Sequence, residues 1–296
     1  MAAARQPTAS AASAGSAAAD AAASAARHDR ARQRGHRGGT IPLHRSIWRL
    51  HLPRRRLAEG LLLAAGFSLL LVLVQPLLTR FWAWQLTLWL TGLGLGTVNP
   101  GAPLPLGPDA GWAVFSLALP QIDIALPDVG PLQLAAHALV AAAVWGAAGW
   151  LPDSGKPGTY VLRFAVLIHG AAVAYFALWP GSFAHSLAGH VSGGLEQTWM
   201  LMLVAPWLHL ATHYLFPFPL WQRLALTTLT LAWLALLAPL QYSAHAALLA
   251  LTGPVLMPLL HLLFGVMVPI LGLVALYGWG MSWPQAAPER RSGDRG

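Results

Sequence analysis

The chain contains no cysteine in 296 residues. That excludes a disulfide framework and any thiolate metal site, so a bound metal would have to use histidine, carboxylate, methionine or backbone oxygen. Charge is almost as scarce. Only 9% of the residues are Asp, Glu, Lys or Arg, against 56% hydrophobic, whereas a soluble domain wets its surface with about 25% charged residues. A soluble globular protein is therefore excluded, and the composition is that of a membrane protein. No carboxylate lies deep within an apolar run, which removes the acid–base relay that proton-coupled carriers use. There is no internal repeat.

What charge there is has one sign and one place. The net charge is +8, which by itself would suit nucleic acid, but its distribution points elsewhere. Residues 1–56 hold eleven arginines in an Ala/Ser/Gly-rich stretch without apolar periodicity, expected to be a disordered cytoplasmic arm. Arg54, Arg55 and Arg56 close it at the edge of the first apolar run, as an inside-facing anchor does. No nucleic-acid partner is expected. Nor is a cleaved signal peptide, since the apolar run near Gly60 is as long as a bilayer span.

Apolar runs predict an all-α integral membrane fold of about six helices, near 58–79, 131–151, 160–179, 199–217, 224–243 and 255–278. Each approaches the roughly 20 residues that cross hydrocarbon. The membrane domain is read as 57–280 and a cytoplasmic tail as 281–296. With the amino terminus inside, every Lys and Arg except Arg80 falls on the cytoplasmic side. That placement follows the positive-inside rule, with both termini cytoplasmic in a bacterial inner membrane. Trp179 and Trp199 are expected to flank an outer loop. The outer segment 80–130 is expected to hold an interfacial helix, "RFWAWQLTLWLTGLGLG", and a short hairpin around Pro120–Gln121.

Histidine is the chemistry-bearing residue in this setting. His185, His190 and His245 fall on the outer side with Glu196, a nitrogen/oxygen set suited to copper or zinc. Met200 and Met202 could add thioether. His209 and His213, spaced i, i+4, share a helix face as two ligands of one metal would, or as two links in a polar helix contact. His169, His209 and His261 are read near mid-depth, where His169 and His209 could clamp a haem. For any one of these, hydrogen bonding between helices is the ordinary role.

The segment "SGGLEQTWMLMLVAP" carries Ser192, Gln197, Met202, Ala205 and Pro206. It is preceded by "RFAVLIHGAAVAYFALWPGS" and followed by "LAPLQYSAHAALL" and "PLLHLLFGVMVPILG". Over about 160–272 this resembles the cytochrome c oxidase assembly factor family of the CtaG type, whose loop reads Ser-Ala-His-Met-x-Gln-His. The two motif histidines correspond to Gly194 and Thr198 here, so the motif brings no ligand; His190 and Glu196 stand nearby as substitutes. The resemblance implies a chaperone-like role in building a respiratory haem–copper oxidase. Copper would be handled at the outer face, oxidase subunits and membrane lipid would be the partners, and no substrate would be turned over.

Other classes remain in view. A metal-free scaffold or accessory subunit fits the same spans, and prolines such as Pro206, Pro239 and Pro269 would suit the broken helices of a small-solute or metal transporter. "KPGTYVLRF" followed by "LAGH" resembles a lipid phosphatase pattern. It fails, because Ala188 stands where that pattern needs serine.

Overall fold

The computed structural model describes residues 54–99, 101, 103–105, 116–215 and 218–283. The arm before Arg54 and the tail after Trp283 lie outside them. The described chain runs α1 (Arg54–Gly92), four short strands, α2 (Pro131–Ala148), α3 (Lys156–Leu178), α4 (Leu187–Leu215), α5 (Leu220–Thr252) and α6 (Pro254–Met281). The expected all-α membrane bundle is what forms. Among the described residues, α1, α2, α3, α5 and α6 are long and apolar enough to cross a membrane.

Their outer faces are leucine, with Leu62, Leu73, Leu139 and Leu251 all more than two-thirds exposed. In water such faces would be untenable, whereas lipid accommodates them, because helices satisfy nearly all of their N–H and C=O groups within their own segments. The most enclosed of the five is α5, 44% of whose apolar window is buried, against 11–17% in the others. It is the axis of the bundle. The long helix outside that group is α4, where His190, Glu196, Gln197, Thr198, His209 and Thr212 dilute the leucines. It can be more polar because α1 and α5 cover it. Trp82, Leu86 and Leu90 of α1, Val191, Leu195 and Met202 of α4, and Leu234 and Tyr242 of α5 form the shared core.

Three local expectations are corrected. The segment after Arg80 is no interfacial helix, since α1 runs unbroken for 39 residues through Pro76 to Gly92. At 1.5 Å per residue that is about 58 Å, well beyond hydrocarbon about 30 Å thick. Its end buries Trp82, Leu86 and Leu90 completely, and an inward-facing apolar stripe outcompetes a membrane surface. Next, α4 starts at Leu187, so most of the expected loop before Trp199 is helix, and Trp199 is a core residue, 3% exposed. Ser186 sets that start: its Oγ accepts the Gly189 N–H at 3.0 Å, the capping bond that favours serine before a helix.

Last, Ser116–Ala118 and Gln121–Asp123 do not pair with each other. β1 (Thr97–Asn99) pairs antiparallel with β4 (Gln121–Asp123), and β2 (Pro103–Pro105) with β3 (Ser116–Ala118). The four strands thus make one ribbon of two antiparallel ladders. Asn99 faces Gln121 while Pro103 faces Ala118, a one-residue slip like that of a β-bulge. Pro120, which has no N–H for a ladder, sits at the slip. Gly101 is required there, since a Cβ would run into the Leu119 carbonyl. Leu119 and Ile122 enter the helical core, so the ribbon seals one end of the bundle.

Two proline-freed carbonyls join the central helices. Pro239 cannot donate to the Ala235 carbonyl four residues earlier, and Trp82 Nε1 of α1 donates to it instead at 2.9 Å. In α6 the turns over Leu260–Met267 are π. Pro269, five residues after Phe264, again lacks the N–H, and Gln241 Nε2 of α5 fills the Phe264 carbonyl at 2.9 Å. Between α5 and α6 stands Gly253 at φ +75, a conformation glycine adopts without strain.

Candidate functional site

The ribbon end of the bundle gathers histidines from different parts of the sequence. His190 lies in the first turns of α4, His245 near the end of α5, and His261 near the start of α6. His190 Nε2 and His245 Nδ1 are 3.2 Å apart, a hydrogen bond in which one ring donates and the other accepts. Their rings are stacked, with centroids 5.4 Å apart, and the His261 ring lies 5.9 Å from that of His190. Tyr242, one turn before His245, sets its ring edge-on to both, at 5.8 Å from His190 and 5.2 Å from His245.

A cavity of about 550 Å³ opens beside them, lined by Phe183, His185, Ser186, His190, Met257 and His261 among others. Gly189, Gly193 and Gly194 of α4 give it room. That size suits a small ligand, and the lining is the usual mixture of apolar walls with a few convergent polar groups. His245 is 3% exposed and stands behind His190. His185, in the connection before α4, is exposed at the mouth.

The expected set is thus only partly assembled. His190 and His245 come together, the His261 ring stands beside that of His190, and His185 lines the same cavity without closing a three-histidine cluster. Sequence reading placed His261 near mid-depth; α6 begins at Pro254, so His261 is about two turns in. Glu196 does not line the cavity. Six residues on from His190, it points about 120° away around α4. His213 lies 23 positions from His190 along the same helix, about 35 Å, so it cannot share an ion with the ribbon-end histidines; its side chain lies outside the described residues. Met202 packs in the core at 2% exposure, and Met200 lines a different cleft.

His169 and His209 do not face each other. His169 is about 14 Å from the ribbon end of α3, His209 about 33 Å down α4 from Leu187. Each has its own partner. His209 Nδ1 meets Thr227 Oγ1 of α5 at 2.9 Å, and His169 Nε2 meets His137 Nδ1 of α2 at 3.2 Å. His137 Nε2 donates to the Thr252 carbonyl at 3.0 Å, and Gln133 Nε2 donates there too. A haem clamped between His169 and His209 is incompatible with this separation.

Among the described residues, no three His, Asp or Glu side chains stand together as ligands for one ion. Imidazole alone does not complete a coordination shell in this arrangement. No protein-family model, curated protein or solved structure matches the chain. The chemistry must be argued from the side chains themselves.

Proposed function

We propose that the chain is a non-catalytic inner-membrane protein that binds copper in the ribbon-end cavity and passes it on during assembly of a respiratory haem–copper oxidase. The observation that carries this reading is the contact of His190 Nε2 with His245 Nδ1 at 3.2 Å. Two imidazole nitrogens on one tetrahedral first-row ion, each about 2.05 Å from it, stand about 3.4 Å apart. An ion therefore replaces the shared hydrogen with a movement of a few tenths of an ångström. The displaced proton passes to the other nitrogen of its ring, leaving two neutral imidazoles as ligands. His185 at the mouth supplies a first landing point. The orientation with the arginine-rich arm inside puts this cavity on the outer face, where a partner subunit could collect the ion.

Metal analysis of the detergent-purified protein tests the reading. About one copper per chain is expected, lost when His190 and His245 are both replaced by alanine, and a deletion strain should lose oxidase activity. A protein that takes up no copper would instead be a metal-free accessory subunit. In that second reading the His190–His245 hydrogen bond is a structural contact between α4 and α5.

A further inference from the structure

The ribbon-end cavity holds one donor that is neither imidazole nor carboxylate. Met257 lines the same opening as His190 and His261, and at 4% exposure it is turned inward rather than toward lipid. It stands four residues before His261. From Met257 onward α6 is helical, so the two side chains share a face and meet the cavity one above the other. Pro258 and Val255 hold this turn, and Val255 is fully buried.

We infer that Met257 is the third ligand of the site and makes it selective for the cuprous ion. This rests on the proposed copper reading and adds the oxidation state. Thioether is a soft, uncharged donor that favours Cu(I), whereas sites for divalent zinc or Cu(II) are built from imidazole and carboxylate. The cavity has no carboxylate on its wall, so nothing offsets the second positive charge of a divalent ion. Two neutral imidazoles and one thioether complete a three-coordinate shell for a monovalent one. The missing third imidazole or carboxylate is then no defect of the site. His245 and His190 supply nitrogen, Met257 supplies sulfur, and His261 stands as the exit ligand on the open side.

The test uses full-length protein in detergent under anaerobic conditions, with Cu(I) presented from a competing chromophoric chelator and Zn(II) titrated separately. The wild type should bind one Cu(I) and show a sulfur neighbour in the X-ray absorption spectrum of the bound copper. Met257→Leu, which keeps the volume, should weaken Cu(I) binding at least tenfold, remove the sulfur signal and leave any Zn(II) binding unchanged. Equal Cu(I) affinity in Met257→Leu, with only nitrogen or oxygen scatterers in the wild type, would overturn the inference while leaving the histidine site standing. Absence of copper from the wild type would overturn the site itself. If Met257→Leu fails to fold, the sulfur signal of the wild-type protein alone decides.

Discussion

Tyr242 of α5 lies directly over Gly194 of α4, so close that a Cβ at position 194 would overlap its ring. The hydroxyl of the same tyrosine also approaches Gly265 of α6, where an added Cβ would lie 3.3 Å away. One ring thus wedges between two glycines on neighbouring helices, and its edge fixes His190 and His245. Small residues do this in membranes because helices there gain little from hydrophobic exclusion and must gain from close packing.

Gly194→Ala should therefore destabilise the detergent-solubilised protein by about 1–3 kcal/mol, the usual cost of overpacking a filled core. Gly193→Ala, one residue away with nothing within 4 Å of its added Cβ, should not lower the unfolding temperature and, by removing a helical glycine, should raise it slightly. Thermal unfolding followed by tryptophan fluorescence compares the two; equal transitions would mean the ring has room to move.

The bond from Trp82 to the Ala235 carbonyl exists because Pro239 leaves that carbonyl free. Trp82→Phe should cost about 0.6–1.7 kcal/mol for the lost bond, plus a packing term. In a Pro239→Ala background the helix itself supplies the donor, and Trp82→Phe should then cost measurably less. A double-mutant cycle on unfolding in denaturant reads the difference, and additivity of the two changes would disprove the linkage.

Position along α4 separates the histidines. His190→Ala and His245→Ala should each lower copper affinity at least tenfold, since each removes one of two nitrogen donors. His137→Ala and His209→Ala should leave it within twofold, because they bond elsewhere. Equilibrium dialysis of the four variants measures this, and copper loss in His209→Ala would place the ion at the other end of the bundle.

Orientation is read by reporters active on one side only. A periplasmic reporter fused after Gly130 should be active, and the same reporter after Trp150 should be silent, with a cytosolic reporter giving the reverse. Activity on the cytosolic side at Gly130 would place the histidine cavity inside the cell and remove outward delivery.

The helices were the legible part of the sequence. An apolar run near 20 residues long is a local property, and α2, α3 and α6 begin or end within a few residues of where hydropathy places them. Local signals failed where two energies competed. "RFWAWQ" is amphipathic enough for a membrane surface, yet Trp82 is fully buried because α5 offers it both a packed surface and a free carbonyl. The start of α4 was readable in principle from Ser186, a capping residue hidden behind a polar stretch that resembles a loop.

The candidate site was legible only in pieces. His185, His190 and His245 were read on one side of the membrane from topology alone, whereas His261 was misplaced in depth and Met257 was not singled out. Glu196 was grouped with His190 by nearness in sequence, and the phase of α4 turns it away.

By itself the sequence determined the medium this protein lives in and the number of long helices it offers, because transfer of a side chain into hydrocarbon is paid residue by residue. Which histidines meet, which strands pair and which methionine shares their cavity were decided only by tertiary structure. Those pairings join positions tens of residues apart, His190 with His245 and Thr97 with Asp123. They depend on helix phase, on a glycine without a Cβ and on carbonyls that prolines leave open, none of which any single segment can specify.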